Sequence, residues 1–173
     1  MIRVEAILAN PVFKAYVARN AEKEADRKFC CHGFQHLVDV ARIAYILMLE
    51  NGDIEKFTTA NDLNRRTARE IIYAAALLHD IGRWKEYETG QDHAGLSAEL
   101  AVDILGEVGF SRIESGLVIT AIAEHRRWTE NMSLLGQNLF KADKLSRLCS
   151  RCEAAGECYK FEQMATAHKG LIY

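Results

Sequence analysis

The sequence predicts an all-α protein, a single-domain helical bundle of about six or more helices. Apolar residues recur mostly at three- and four-residue spacing, which is the pattern of helices that bury one face. No segment shows the clear alternation of apolar and polar residues that is typical of a half-buried strand. The chain has 173 residues, one proline (Pro11) and no low-complexity linker, so we expect one domain over 1–173.

Composition excludes several classes of protein. Hydrophobic residues make up 49% of the chain and charged residues 27%, which is ordinary for a globular domain. The net charge of -2 gives no electrostatic reason to expect nonspecific binding to nucleic acid or membranes. No apolar run approaches the roughly 18 residues of a membrane span, and the N-terminus lacks a signal-peptide pattern. We therefore expect a cytoplasmic protein, whose oligomeric state the sequence does not indicate.

Helix-capping residues place several of the predicted elements. Asn10 and Pro11 are typical of a helix start, and the helix they open is predicted to extend to about residue 28. Gly109 predicts a helix end, and Ser111 with Glu114 predicts a capping box that opens the next helix. The further helices are predicted over about 33–50, 65–80, 93–109, 112–125 and 133–150.

Two other segments complete this description. Residues 51–64 are polar and are predicted to form a loop. The helix over 65–80 is apolar around much of its circumference, which predicts a central position. It ends in an adjacent imidazole and carboxylate, His79 and Asp80. Burying either group without a partner costs several kcal/mol, so we expect something at this helix end to compensate them.

Further histidines and a carboxylate fall on other helices. His36 lies on the second predicted helix, His93 opens the fourth, His125 closes the fifth, and Asp143 lies in the sixth. Imidazole nitrogens and carboxylate oxygens are suitable ligands for divalent transition metals. A single histidine is more often a surface residue or a hydrogen-bonding core residue. The order of these groups across successive helices is what favours a metal site where the helices converge.

At these residues the chain resembles the HD-domain metal-dependent phosphohydrolase superfamily. The stretch HLVDVARIAY is similar to the family's first ligand helix, and LLHDIGR to its central signature. DHAGLSAELA and ITAIAEHR are similar to the segments that carry two extra histidines in two-metal members, and KADKLS supplies a final aspartate. The resemblance covers a motif core of about 29–150 and implies six ligands: His36, His79, Asp80, His93, His125 and Asp143.

The resemblance also implies a helical bundle and a function. It implies a phosphatase or phosphodiesterase that cleaves an ester or anhydride of a small phosphorylated metabolite, such as a nucleotide, by attack of metal-bound hydroxide. The cofactor would be one or two ions of iron, manganese, nickel, cobalt or zinc. In a two-ion site Asp80 would bridge both ions, with His93 and His125 on the second. A one-ion site, in which these two histidines contact phosphate or act as a general acid, remains open.

Cations near the motif are candidates for binding phosphate, because the sequence has no glycine-rich phosphate loop. Besides Asp80, we predict catalytic roles for Arg83 and Arg126, since guanidinium groups bind phosphate through two donors. Lys144 is a further phosphate-binding candidate. Each cation could instead complement the dipole at a helix C-terminus. His32 lies four residues before His36, so it would share a helical face with that ligand if the helix has begun, and it could support a ligand there.

The five cysteines form a separate feature, Cys30, Cys31, Cys149, Cys152 and Cys158. Their odd number favours a reducing compartment over a disulfide framework. They could bind structural zinc or an iron–sulfur cluster apart from the His/Asp site. Alternatively, they are small buried thiols, and the extension over 151–173 simply packs on the same domain.

Two further functions remain open at the sequence level. A non-catalytic nucleotide-binding or regulatory module would use the same fold, although loss of ligands would favour that class and none is missing. Some relatives oxidise organic substrates with a di-iron pair, and the same six ligands would serve such an oxygenase. Iron-dependent oxygen uptake would distinguish the oxygenase from a hydrolase.

Overall fold

The computed structural model describes residues 1–169 and 172–173, and over these residues the chain is all-α, as predicted. Its α-helices are α1 (Ile2–Ala9), α2 (Pro11–Lys23), α3 (Phe34–Glu50), α4 (Asp53–Asn61), α5 (Arg65–Leu78), α6 (Arg83–Thr89), α7 (His93–Glu107), α8 (Arg112–Glu124), α9 (Leu134–Leu145) and α10 (Ala165–His168). Short 3-10 turns separate α9 from α10, at Cys149–Arg151, Ala155–Glu157 and Phe161–Gln163. None of the described helices is long and apolar enough to cross a membrane.

Helix α5 lies at the centre of the bundle, which confirms the prediction from its apolar circumference. It packs against α3 and α8 and also contacts α1, α4, α7 and α9. Its buried residues include three successive alanines, Ala74, Ala75 and Ala76. Small side chains on several faces let neighbouring helices approach α5 closely. The His79–Asp80 pair that follows α5 therefore lies inside the bundle.

The predicted caps are present. The Asn10 side chain accepts hydrogen bonds from the backbone N–H groups of Val12 and Phe13, at 2.8 and 3.1 Å. Ser111 and Glu114 form the predicted capping box at the start of α8. Gly109 follows the end of α7 with a φ of +83°, a left-handed conformation that glycine adopts without a Cβ penalty.

The prediction of a loop over 51–64 was wrong, because α4 spans most of this segment. Only Ile54 and Phe57 of α4 are buried against the core, together with most of Asp53. The Asn138 side chain donates a hydrogen bond to Asp53 Oδ2 at 3.1 Å. Two apolar residues give too weak a periodic pattern to predict a helix, so tertiary packing determines this one.

The sequence also failed to predict α1 and α6, and the ends of α2 and α9 each differ by about five residues from those expected. Helix α6 has no buried residue, so it carries no apolar stripe to read. Helix α2 ends at Lys23 rather than near residue 28, because the next residue, Glu24, turns inward and is only 3% exposed. Helix α9 ends at Leu145 rather than at residue 150. His32 precedes α3 and does not lie on its face.

Candidate metal centre

The six predicted ligands meet at one end of the bundle. His79 caps α5 and Asp80 follows it, His36 lies in the first turn of α3, and Asp143 lies near the end of α9. His93 is the first residue of α7, and His125 caps the end of α8. The structure thus brings together residues more than 100 positions apart in the chain, at helix ends, where a close approach costs few backbone hydrogen bonds.

One set of ligand atoms surrounds Oδ2 of Asp80. His79 Nε2 lies 3.1 Å from this oxygen and His36 Nε2 lies 3.6 Å from it. Oδ1 of Asp143 lies 3.3 Å from His36 Nε2 and 3.9 Å from His79 Nε2. Each of these four residues offers one ligand atom, and the four atoms lie within 4.8 Å of one another. That spacing suits ligation of a single metal ion.

A second set of ligand atoms surrounds the other oxygen of Asp80. His93 Nε2 lies 3.2 Å from Oδ1 of Asp80, and His125 Nε2 lies 3.7 Å from the same atom. The two Nε2 atoms are themselves 3.3 Å apart. The carboxylate of Asp80 therefore faces one ligand set with each of its oxygens.

Backbone carbonyls fix the orientation of two of the imidazole rings. The Nδ1 atom of His79 lies 2.7 Å from the carbonyl oxygen of Ala76, and Nδ1 of His125 lies 2.6 Å from that of Ile122. A ring that donates its Nδ1–H to a carbonyl carries its lone pair on Nε2, which points into the centre. Hydrogen bonds of this kind are usual for histidines that ligate metals.

The buried atoms of the centre fit a cation. Within the described residues, His79 Nε2 and Asp80 Oδ1 are buried without a geometrically acceptable hydrogen-bond partner. Burial alone would lower the pKa of His79, but the carboxylates of Asp80 and Asp143 outweigh it and raise this pKa to about 10. The site thus attracts positive charge strongly. A divalent metal would supply that charge and displace the proton from the imidazole.

Asn20 supports the centre in a way that sequence reasoning missed. Its side chain donates to the backbone carbonyl of Asp80 at 2.8 Å and accepts from the backbone N–H of Trp84 at 2.7 Å. Asn20 is fully buried and lies 60 residues before Asp80 in the chain. No local pattern in the sequence marks this contact.

Other supporting residues were also missed. Glu86 Oε2 and Arg83 Nη1 each lie 2.9 Å from Nδ1 of His93, so a proton on Nδ1 would be donated to Glu86 and a lone pair there would accept from Arg83. Arg147 donates to Oδ1 of Asp143 at 2.8 Å. Ser146 Oγ lies 3.2 Å from Nδ1 of His36. The position of Glu86 in α6, six residues after Asp80, was the one available signal for it.

The predicted phosphate-binding cations lie at or near the centre. Arg83 donates to Glu86 Oε2 at 2.8 Å, and its Nε lies 4.0 Å from Asp80 Oδ1. Arg126 is 37% exposed in its side chain and is paired with Asp92 and Glu86. Both arginines are thus held by carboxylates and remain close to the ligands.

Lys144 lies beside the ligand Asp143, with its Nζ 3.8 Å from Asp143 Oδ2. Burial is the largest influence on the pKa of Lys144 and lowers it. The ammonium group also lies 3.4 Å from the centroid of the Phe140 ring. Lys144 therefore contributes positive charge at the wall of the site beside a metal ligand.

His32 makes a buried chain of polar contacts beside the first ligand set. Its Nδ1 lies 2.5 Å from Glu24 Oε1, and its Nε2 lies 2.9 Å from Nη2 of Arg83. The Tyr87 hydroxyl donates to the same Glu24 oxygen at 2.6 Å. Nε2 of His32 is also 3.9 Å from Asp80 Oδ2. His32 thus reaches the centre from the loop before α3.

A cavity of about 250 Å³ opens onto the ligands. Its walls include Asp80, His93, His125 and Asp143. Six cations also line it: Arg27, Arg83, Arg126, Lys144, Arg147 and Lys160. The cavity therefore combines metal-ligand atoms with a strongly cationic wall.

The five cysteines lie together around a neighbouring cavity of about 290 Å³. All five are free thiols, and Cys149 is the most buried of them. Among the residues described by the structure, no group of three ligand atoms within 4.8 Å of one another includes a sulfur. The thiols are gathered in space, but they do not form a compact tetrahedral set.

The fold is all-helical, and a buried His/Asp cluster lies at the ends of its helices. The HD domain model matches residues 33–148, well over half of the chain. The chain therefore belongs to the HD-domain family, a family of metal-dependent hydrolases. This confirms the resemblance drawn from the motifs. The number of ions remains a prediction.

Relatives of known sequence agree with this family. The chain is 37% identical over 159 residues to a Clostridium beijerinckii protein described as uncharacterized, covering 91% of this chain and 92% of that one. It is 33% identical over 94 residues to a bifunctional uridylyltransferase/uridylyl-removing enzyme of Bradyrhizobium diazoefficiens, covering 53% of this chain and 10% of the enzyme. It is 31% identical over 111 residues to ribonuclease Y of Enterococcus faecalis, covering 64% and 17%. No solved structure gives a significant match.

Proposed function

We propose that this protein is a metal-dependent phosphohydrolase that cleaves a phosphate ester or anhydride of a nucleotide or other small phosphorylated metabolite. The observation that carries the proposal is the carboxylate of Asp80. Its Oδ2 lies 3.1 Å from His79 Nε2, and its Oδ1 lies 3.2 Å from His93 Nε2. A carboxylate that faces two imidazole sets in this way suits a bridge between two cations.

Divalent ions held there would neutralise charge on the phosphoryl oxygens and lower the pKa of a bound water towards neutrality. His36, His79, Asp80 and Asp143 would hold one ion, and Asp80, His93 and His125 the second. The chain's own part is to fix these atoms before substrate arrives. The carbonyls of Ala76 and Ile122 do this by accepting the Nδ1 protons of His79 and His125, and Glu86 and Arg83 both contact Nδ1 of His93.

Arg83 is the best placed residue to bind the substrate's phosphate. Its guanidinium is held by Glu86 and lies beside Asp80, and its Nε is buried without a hydrogen-bond partner among the residues that the structure describes. A buried donor without a partner is costly unless a ligand or water accepts its proton. Arg126 would bind phosphate nearer the rim, where it now pairs with Asp92. Neither residue needs to act as a nucleophile.

A nucleotide is the substrate class that the relatives favour. A ribonuclease and a uridylyl-removing enzyme both carry names that refer to nucleotide-bearing substrates. The chain matches only a small part of each of those longer proteins, so the family relation supports a class of substrate and not a particular one. The six cations around the 250 Å³ cavity suit a small anionic molecule of this kind.

Hydrolysis by metal-free protein reloaded with one metal at a time would test this proposal. Manganese, iron, cobalt, nickel and zinc would each be supplied with a panel of phosphomonoesters, phosphodiesters and nucleotide anhydrides. We expect at least one metal to restore phosphate or nucleotide release. Asp80→Asn should abolish that release, whereas Asp103→Asn, a change at an exposed aspartate of α7, should not. Iron-dependent oxygen uptake without hydrolysis would instead indicate an oxygenase. Nucleotide binding without turnover under any metal would indicate a regulatory module.

A further inference from the structure

The second cavity gathers all the cysteines of the chain. Two come from the loop before α3 and three from the segment after α9, so more than 110 residues separate the two groups in sequence. All five line one cavity of about 290 Å³, because the two short segments that carry them pack against each other there. None of the six predicted ligands of the His/Asp centre is a cysteine.

The segment that carries three of these cysteines lacks an apolar anchor. The main hydrophobic core ends at Ala142 of α9, and no described residue after Leu145 packs into it. Beyond α9 the buried residues of the described chain are Cys149, Ala154 and Thr166. Short 3-10 turns follow one another there, and such turns are seldom stable on their own. These few buried residues give the segment only a small apolar contact with the rest of the domain.

We propose that Cys30, Cys149, Cys152 and Cys158 bind a second metal centre through their thiolates, apart from the His/Asp centre. Four thiolates are the usual ligand set of structural zinc and of iron–sulfur clusters. Cys149 and Cys152 are spaced as a Cys-x-x-Cys pair, and a turn between them is closed by the N–H of Cys152 to the carbonyl of Cys149 at 3.1 Å. Each thiol loses its proton on binding the metal.

Cys31 is the fifth thiol and is not part of this ligand set. It is the exposed member of the group, whereas the other four are buried or half-buried. Its Sγ lies 3.5 Å from the carbonyl oxygen of Phe29, which occupies its weak donor. Cys31 therefore serves as a matched internal control, since it shares the cavity and the chemistry but not the proposed role.

The spacing of the sulfurs does not match a single tetrahedral ion. A zinc ion with bonds of about 2.3 Å to four sulfurs would hold them about 3.8 Å apart. No three ligand atoms in the described residues that include a sulfur lie within 4.8 Å of one another. An iron–sulfur cluster holds its thiolates farther apart than a single ion does, and it fills the space between them. The cavity of about 290 Å³ that the cysteines line offers such a space.

This centre would also position residues at the catalytic cavity. Cys30, Cys149 and Cys158 line both cavities, and Tyr159 and Lys160 of the same segment line the cavity at the His/Asp centre. Arg147 lies on the wall between the two cavities and offsets the negative charge that several thiolates bring. A metal held by the cysteines would therefore fix one wall of the substrate cavity.

Metal analysis of cysteine variants would test this proposal without any activity assay. The protein would be purified without oxygen as wild type, Cys149→Ser/Cys152→Ser and Cys31→Ser, with iron, zinc and acid-labile sulfide counted. Metal-free samples would then be titrated with Co²⁺, whose absorption bands report thiolate ligation. Asp80→Ala would serve as the background that removes the His/Asp centre. If Asp80→Ala does not fold, the difference between wild type and the double variant replaces it.

We expect a thiolate-bound metal that the double variant loses and the Cys31→Ser variant keeps. Iron with equimolar sulfide in the purified protein would identify a cluster. One equivalent of zinc, or of thiolate-bound Co²⁺ after titration, would identify a single ion. The double variant should also expose the segment after Leu145 to proteolysis. Equal metal content and identical Co²⁺ spectra in wild type and double variant would overturn the proposal, whatever the outcome at the His/Asp centre.

Discussion

Oδ1 of Asp80 lies 3.2 Å from Nε2 of His93, although the two residues belong to different elements and a helix separates them in the chain. The other oxygen of Asp80 lies 3.1 Å from Nε2 of His79. One carboxylate thus connects a set of ligand atoms from α3, α5 and α9 with a set from α7 and α8. The proposed chemistry depends on this connection.

Replacing His125 with alanine tests the second ligand set of the centre independently of the first. It should leave the first set of four ligands intact and remove a ligand of the second. We expect one ion to remain bound and kcat to fall about a hundredfold or more, since several kcal/mol of transition-state stabilisation would be lost. Metal counting and steady-state kinetics check this expectation. His168→Ala changes an exposed histidine of α10 and should leave both quantities unaltered.

An unchanged ion count at saturating metal in His125→Ala would contradict the two-ion arrangement. In that case His93 and His125 would contact phosphate or act as a general acid. The loss of one limb of the pH–rate profile would accompany that alternative.

Glu86 positions His93, and its removal should weaken the second ion rather than the fold. Its Oε2 lies 2.9 Å from Nδ1 of His93, on the far side of the ring from Asp80. We expect Glu86→Gln to reduce affinity for the second ion about 10- to 100-fold while the first stays bound. Titration of metal-free protein with a divalent ion, with activity as the readout, measures the affinity for the second ion. Glu88→Gln, at the half-exposed partner of Lys23, is the control. Equal affinity in the two variants would rule out the positioning role.

Gly82 allows the turn after Asp80 to pass close to α7. A Cβ at this position would lie 2.8 Å from the backbone nitrogen of Ser97, whose Oγ also accepts a hydrogen bond from the Gly82 N–H at 2.9 Å. Gly82→Ala should therefore destabilise the protein by about 1–3 kcal/mol through overpacking. Chemical denaturation checks this. Gly116→Ala, in α8 with no atom near its Cβ, should be neutral or stabilising. Equal free energies of unfolding for the two variants would show that α7 moves to make room for the added methyl group.

The buried Glu24 side chain makes the free energy of unfolding depend on pH. Burial alone would raise its pKa, but hydrogen bonds from His32 and Tyr87 outweigh it and lower the pKa from 4.5 to about 2. A carboxylate with a lowered pKa stabilises the fold above its unfolded pKa, and this stabilisation is lost as the pH falls from about 4.5 to about 2. Glu24→Gln should thus cost about 2 kcal/mol at pH 7 and less near pH 3.

Denaturant titrations at several pH values would measure this difference. The control is Glu22→Gln on the exposed face of α2, which should change the free energy of unfolding by no more than about 0.5 kcal/mol at any pH. A cost for Glu24→Gln that stays constant from pH 7 to pH 3 would contradict the lowered pKa.

The sequence predicts the central helix and the helix caps because those features are local, whereas the convergence of ligands was predicted from their order across successive helices and from the family resemblance. The apolar circumference of α5 and the capping residues of α2 and α8 each lie within one turn or one helix. Helices α4 and α6 were missed because little of their surface is buried, so packing rather than pattern determines them. Asn20 and Arg147 were missed as supports of the centre, because each acts on residues that only the folded chain brings near.

The most direct test of the central claim is an anomalous difference map from crystals loaded with Mn²⁺, a hard ion that prefers carboxylate and imidazole ligands to thiolates. We predict a peak among His36, His79, Asp80 and Asp143, and a second peak at His93 and His125 roughly 3.5–4 Å away. Asp80 would lie between the two. A map with manganese bound elsewhere, or with no peak in contact with Asp80, would contradict the account.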